Sequence, residues 1–92
     1  MPRYLMEVYL PCTDRDGLRT VGVRARAAAR EMTGDGTAVR HVRSILVPED
    51  RTCFLLFEAP TSRAVMETGE RAALATARVT EALDDHERGD QS

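Results

Sequence analysis

The sequence predicts an α+β fold, with two helices packed on one side of a four-stranded antiparallel sheet. Strand and helix patterns follow each other in the order βαββαβ over 92 residues, a length typical of one small domain. A short turn between the second and third strands indicates a hairpin. Right-handed crossovers then place both helices on the same side of the sheet.

The first third of the chain predicts a strand and a long helix. Residues 4–10 alternate between two faces, and Pro11 ends this strand. Thr13 or Asp14 can cap the helix, and Gly34 stops it. Apolar residues recur along the helix at steps of three and four, as expected for one buried face. They are Leu18, Val21, Ala25, Ala28, Ala29 and Met32.

Residues 38–60 predict the hairpin, which turns at residues 48–51. A symmetric turn fixes the register of the hairpin, so each residue of one strand has a defined facing residue on the other. One face of the hairpin then holds Ser44 and otherwise only apolar core residues. Cys53 is among them and is interpreted as a small buried hydrophobic residue. The other face pairs Val47 with Thr52, Ile45 with Phe54, Arg43 with Leu56 and His41 with Glu58.

The rest of the chain predicts a second helix and a last strand. Gly69 weakens the middle of this helix by about 1 kcal/mol. Residues 77–83 can form the strand, which completes a single domain over residues 1–83. Residues 84–92 have nothing to bury and predict a disordered tail. The apolar residues of the helix that could face the core are Val65, Met66, Ala72 and Ala73.

Composition excludes several classes of function. The net charge of −2 produces no field that favours nucleic acid, although all 13 basic residues are arginine. No apolar run approaches the roughly 20 residues that cross a membrane, and no signal-peptide core follows Met1. We therefore expect a cytoplasmic protein in which Cys12 and Cys53 stay reduced.

The element order matches the ferredoxin-like plait, in which the third strand lies between the first and the second. One face of its sheet is then left without helices. An apolar wall with a few polar groups is typical of a small-molecule pocket, and also of an interface between two open sheets. We expect a homodimer joined through this face with a substrate cleft between the subunits. The predicted face holds Leu5, Glu7, Tyr9, His41, Arg43, Ile45, Phe54, Leu56 and Glu58.

Several short motifs also point to a family. The opening MPRYLMEVYL, the Ala- and Arg-rich first helix, Ser44 before an apolar pair and the run Phe57-Glu58-Ala59-Pro60 together resemble the small DUF4242, or nickel-binding-protein-like, family. The resemblance extends to Leu83. It implies a ferredoxin-like fold that dimerises, and at least one type of member binds nickel. The chain differs from the family pattern at His41, where an aromatic residue is common, and at Leu55, where a cysteine is common.

His41 and Glu58 are the leading candidates for catalysis. A carboxylate facing an imidazole can orient the ring and stabilise its charged form, which suits proton transfer to or from a carbonyl compound. Glu7 supplies a second carboxylate, Arg43 could hold an anionic group, and Tyr9 could donate to an oxyanion. These residues predict a cyclase, isomerase or dehydratase that needs no organic cofactor. The pair could equally be a cross-strand contact without a catalytic role.

Two alternative interpretations remain. His41, Glu7 and Glu58 could together bind Ni²⁺ or Zn²⁺, which would make the chain a metal-binding protein without catalytic activity. It could also be a structural binding module. A separate stripe of arginines on the first helix is interpreted as a solvated face. The stripe consists of Arg15, Arg19, Arg26 and Arg30.

Overall fold

The computed structural model describes residues 1–9 and 14–83. Leu10, Pro11, Cys12, Thr13 and the predicted tail lie outside these described residues. Within the described part, no helix is long and apolar enough to span a membrane. The elements are β1 (Arg3–Tyr9), α1 (Arg15–Gly34), β2 (Arg40–Val47), a 3₁₀ turn (Pro48–Asp50), β3 (Thr52–Glu58), α2 (Ser62–Arg71) and β4 (Thr76–Ala82).

The four strands form one antiparallel sheet in the order β2-β3-β1-β4. The helices pack against each other and against the strands on one side of it, and this arrangement confirms the predicted ferredoxin-like plait. No helix of residues 1–9 and 14–83 lies over the other side of the sheet, which we call the open face. Side chains of β3 show the division, because Leu55 and Phe57 are fully buried under the helices while Phe54 and Leu56 are only partly buried.

The helices bury most of the residues predicted to face the core. In α1 the predicted apolar face is confirmed, with Leu18 partly buried and the others buried. In α2, Val65 and Ala72 are buried as predicted, but the predictions for Met66 and Ala73 are wrong. Met66 lies on the solvent side of the helix. Ala73 lies beyond the helix end, with a φ of 56°.

Both helices begin and end with specific hydrogen bonds. Asp14 is the N-cap of α1, since its Oδ1 accepts from the Gly17 backbone N–H at 2.8 Å. At the end of α2, the backbone N–H of Leu74 donates to the Gly69 carbonyl at 3.0 Å. Arg24 of α1 also donates to the backbone carbonyls of Ala72 and Ala73, at 2.9 and 2.6 Å. The end of α2 is thereby tied to the middle of α1.

A side chain at residue 69 would have to displace its neighbours, although glycine weakens the helix locally. A Cβ at this position would lie 2.7 Å from Thr76 Oγ1 and 2.9 Å from Met6 Cε, closer than such atoms pack. At Gly22 of α1 a Cβ would meet its nearest neighbour, Ser44 Oγ, at an ordinary 3.6 Å. The absence of a side chain at residue 69 thus lets α2 lie close to β1 and β4.

We expect the same substitution to have opposite effects at these two glycines. Gly69→Ala should destabilise the protein by about 1–3 kcal/mol through overpacking. Gly22→Ala should stabilise it by up to about 1 kcal/mol, because alanine is the better helix former. Thermal or urea unfolding of the two variants checks this. Equal shifts in the same direction would show that α2 does not pack as described.

Candidate functional site

A β-bulge in β2 changes the predicted arrangement of the hairpin. Near the turn the predicted register is confirmed, with Ile45 opposite Phe54 and Arg43 opposite Leu56. The register shifts between His41 and Arg43, so that Arg40 lies opposite Glu58 and His41 lies opposite Phe57. An extra residue in one strand reverses the faces of the residues beyond it. The prediction that His41 faces Glu58 is therefore wrong.

His41 lies on the helix side of the sheet, near α1. Its Nε2 shares a hydrogen bond with Ser44 Oγ at 2.9 Å, and its ring contacts the ring of Phe57 edge-on, with 5.5 Å between centroids. Burial lowers the pKa of His41, and the nearby Arg26 lowers it further, while the polar backbone of Arg43 opposes both effects. This imidazole is separated from the open face by the sheet itself.

Glu58 is held by two arginines instead of by a histidine. The guanidinium of Arg40 reaches Oε1 at 2.9 and 3.0 Å, and that of Arg3 reaches Oε2 at 3.1 Å. Hydrogen bonding from Arg40 is the main cause that lowers the pKa of the Glu58 carboxyl, assisted by Arg3. An ionised, doubly paired carboxylate is a weak base. Glu58 therefore ties together one end of β1, β2 and β3.

The open face contains a small hollow around Glu7. Its volume is about 160 Å³, and Leu5 and Phe54 form part of its apolar wall. The Glu7 side chain is 23% exposed, and its Oε1 lies 3.5 Å from Arg78 Nε. Of the three predicted catalytic residues, Glu7 alone lies in this hollow.

Strand β4 contributes residues that the sequence interpretation missed. Arg78 pairs with Glu7 across β1 and β4, Thr80 pairs with Leu5, and Ala82 pairs with Arg3. These three β4 residues and Glu81 line the hollow. Alternation of side chains along the last strand could have indicated which β4 residues lie on the open face. Placing Arg78 beside Glu7 also requires the register between β1 and β4, which the sequence does not provide.

The other predicted open-face residues lie around this hollow. Ile45 is 46% exposed on β2, opposite Phe54, and Leu56 is partly buried beside it. Tyr9 is exposed at the end of β1. Arg43 is exposed at the edge formed by β2. The predicted apolar wall of the open face is thus present, but the imidazole of His41 does not lie on it.

The predicted metal ligands do not converge. His41 lies on the helix side, whereas Glu7 and Glu58 are on strands β1 and β3 of the open face. Among residues 1–9 and 14–83, no group of three His, Cys, Asp or Glu side chains could hold a metal ion. Cys53 is fully buried, and burial raises the pKa of its thiol to about 11, as expected of a core cysteine.

Comparison with known proteins gives a similar fold. The crystal structure of SCO4226 from Streptomyces coelicolor A3(2) is similar to this chain, with a TM-score of 0.71 and 20% sequence identity. The match covers 90% of this chain and 99% of that chain. No protein-family model matches, and no curated protein does. At this identity the similarity shows the fold alone.

Proposed function

We propose that the chain forms a homodimer through its open face and acts on a small organic molecule by acid-base chemistry, with Glu7 as the proton-transferring group. The observation on which this proposal rests is the hollow around Glu7, where the carboxylates of Glu7 and Glu81 lie beside apolar side chains. Such carboxylates are suited to accept or donate a proton when a ligand excludes water. The chemical class is that of a cyclase, isomerase or dehydratase.

The small volume of the hollow supports a second copy of the chain as the partner that completes the site. Its 160 Å³ is below the roughly 300–1,000 Å³ of typical ligand pockets. A second open face laid over the first would enlarge the enclosed space and remove it from water. The exposed Ile45 and the partly buried Phe54 and Leu56 would be covered in the same step.

Charges on the open face also suit a symmetric partner. Glu7 and Glu58 supply negative charge, and Arg3, Arg40 and Arg78 supply positive charge on the same face. A two-fold axis places one patch against its own copy, so a patch with both signs can match itself. The resemblance to a dimerising family is consistent with this arrangement.

Arg78 gives the proposed reaction a second polar group. Its guanidinium lies beside Glu7 and is 73% exposed, so it can turn to hold an anionic or carbonyl oxygen of the ligand. Glu7 would then move the proton while Arg78 stabilises the negative charge that develops. Leu5 and Phe54 would hold the apolar part of the ligand.

Native mass spectrometry of the protein, purified without a His-tag, tests the proposal. We expect the mass of two chains and a bound organic molecule of low mass. Phe54→Arg should release both the second chain and the molecule. A monomer of 10.2 kDa at micromolar concentration would contradict the proposal. A dimer whose bound molecule survives Phe54→Arg would place the binding site elsewhere.

A further inference from the structure

Positive charge is concentrated on α1 and β2. These two elements hold seven arginines and two acidic residues, Asp16 and Glu31, which amounts to +5 in a chain whose net charge is −2. The sheet separates the groove between α1 and β2 from the hollow around Glu7. A local field of this sign favours anions and is independent of the function proposed for the open face.

The groove between α1 and β2 consists of two adjoining open hollows of about 430 and 360 Å³. Both are lined by Arg26 and His41, so they meet at these two side chains. Ala29 and Val39 give the larger hollow an apolar floor. Each volume lies in the range of small-molecule sites, roughly 300–1,000 Å³.

The helix arginines along this groove have no ionic partner in the described part of the chain. No carboxylate of residues 1–9 and 14–83 forms a salt bridge with them. Arg40 of β2, which also lines the larger hollow, is paired with Glu58, and three arginines outside the groove lie within 3.5 Å of a carboxylate. The arginines of α1 that line the groove are Arg15, Arg19, Arg26 and Arg30. Guanidinium groups gathered without counter-charges repel one another, and a bound anion would relieve this repulsion.

A second observation at the same place concerns His41. Its Nδ1 is buried and has no hydrogen-bond partner among the described residues. Arg26 Nη2 and Ser44 Oγ both approach the space above Gly22, at 3.9 and 3.6 Å from the position of an added Cβ. The junction of the two hollows therefore brings together a guanidinium, a hydroxyl and an imidazole.

We propose that this groove binds a small phosphate or diphosphate ester, with its phosphate at Arg26 and Arg30 and its organic part on Ala29 and Val39. Arginine forms paired hydrogen bonds to phosphate oxygens, and two arginines one helical turn apart can share one group. No Phe or Tyr among the described residues lines either hollow, so this part of the chain offers the bases of a single-stranded nucleic acid no Phe or Tyr ring on which to stack.

Nuclear magnetic resonance titration of the full chain with inorganic pyrophosphate tests this site. At constant ionic strength we expect saturable shifts at the amides of Gly22, Arg26, His41 and Ser44, with a Kd below roughly 1 mM. Inorganic phosphate should bind at the same amides more weakly. The titration midpoint of the His41 imidazole should rise when pyrophosphate is bound, because the anion offsets the charges of Arg26, Arg30, Arg40 and Arg43.

Matched variants distinguish binding at a specific site from a general attraction of the anion to positive charge. Arg26→Gln with Arg30→Gln should weaken binding at least about tenfold, whereas Arg63→Gln, an arginine of α2 that also lacks a described salt bridge, should change it less than about twofold. Arg26→Lys with Arg30→Lys keeps the charge and should still lose most of the affinity. Equal losses in the Arg63 variant, or shifts spread over the whole surface without saturation, would overturn the proposal.

Discussion

Phe54→Arg should convert the protein from a dimer into a folded monomer. Phe54 lies on the central strand β3, between Glu7 of β1 and Ile45 of β2, and its side chain lines the hollow of the open face. In the proposed dimer the larger, charged side chain would be buried in the contact even where its cross-strand neighbour Glu7 pairs with it. We expect this to cost about 3 kcal/mol or more and to weaken the dimer at least roughly a hundredfold. Light scattering during gel filtration at micromolar concentration measures the mass directly.

A control on the helix side shows whether the effect is specific. Met66 of α2 is also an exposed large hydrophobic residue, so Met66→Arg makes the same chemical change away from the proposed interface. We expect this variant to keep the wild-type mass. Circular dichroism would verify that Phe54→Arg remains folded. If the wild type itself has the mass of one chain, or if Met66→Arg dissociates it equally, the open face is not the interface.

Glu7→Gln should abolish most turnover of the bound molecule once that molecule has been identified. The substitution keeps the shape of the side chain but removes the group that we propose to transfer a proton, and general acid-base catalysis contributes about 10²- to 10⁴-fold. Because glutamine still fits the hollow, the ligand and the dimer should both be retained. The measured quantity is kcat/KM, with the dimer mass recorded for the same preparation.

His41→Gln is the informative comparison for this prediction. The imidazole lies on the helix side of the sheet, in contact with Ser44 and Phe57, so its loss should leave turnover within about threefold of wild type. Loss of activity in His41→Gln with full activity in Glu7→Gln would contradict the proposed role of Glu7. It would also move the reacting centre to the groove between α1 and β2.

Local patterns predicted most of this fold correctly. The buried face of α1 follows from apolar residues such as Val21 and Ala25 at helical spacing, and the hairpin follows from its turn. Met66 and Ala73 were misplaced because α2 ends at Arg71, and its orientation is set by the contact of Gly69 with β1 and β4. Helical periodicity alone contains no information about that contact.

The candidate site was harder to predict, because it depends on the registers of two strand pairings, β2 with β3 and β1 with β4. No glycine or proline marks Val42 as the extra residue of a bulge, yet that residue moves His41 away from Glu58. The pairing of Arg78 with Glu7 depends on how β4 docks beside β1 after α2, which is a tertiary property. The apolar residues Leu5 and Phe54 were predicted correctly because they lie outside both irregularities.

Both outer pairings of the sheet contain a register shift, and this limits how copies of the chain can associate. The shift on the β2 side lies between His41 and Arg43, and the shift on the β4 side lies at Glu7 and Val8 of β1. Edge strands with regular hydrogen-bonding groups invite strands of other molecules and so favour aggregation. Because bulges bend and twist the outer strands, neither edge offers a long straight template. Extension of the sheet from one molecule into another through these edge strands is thereby disfavoured.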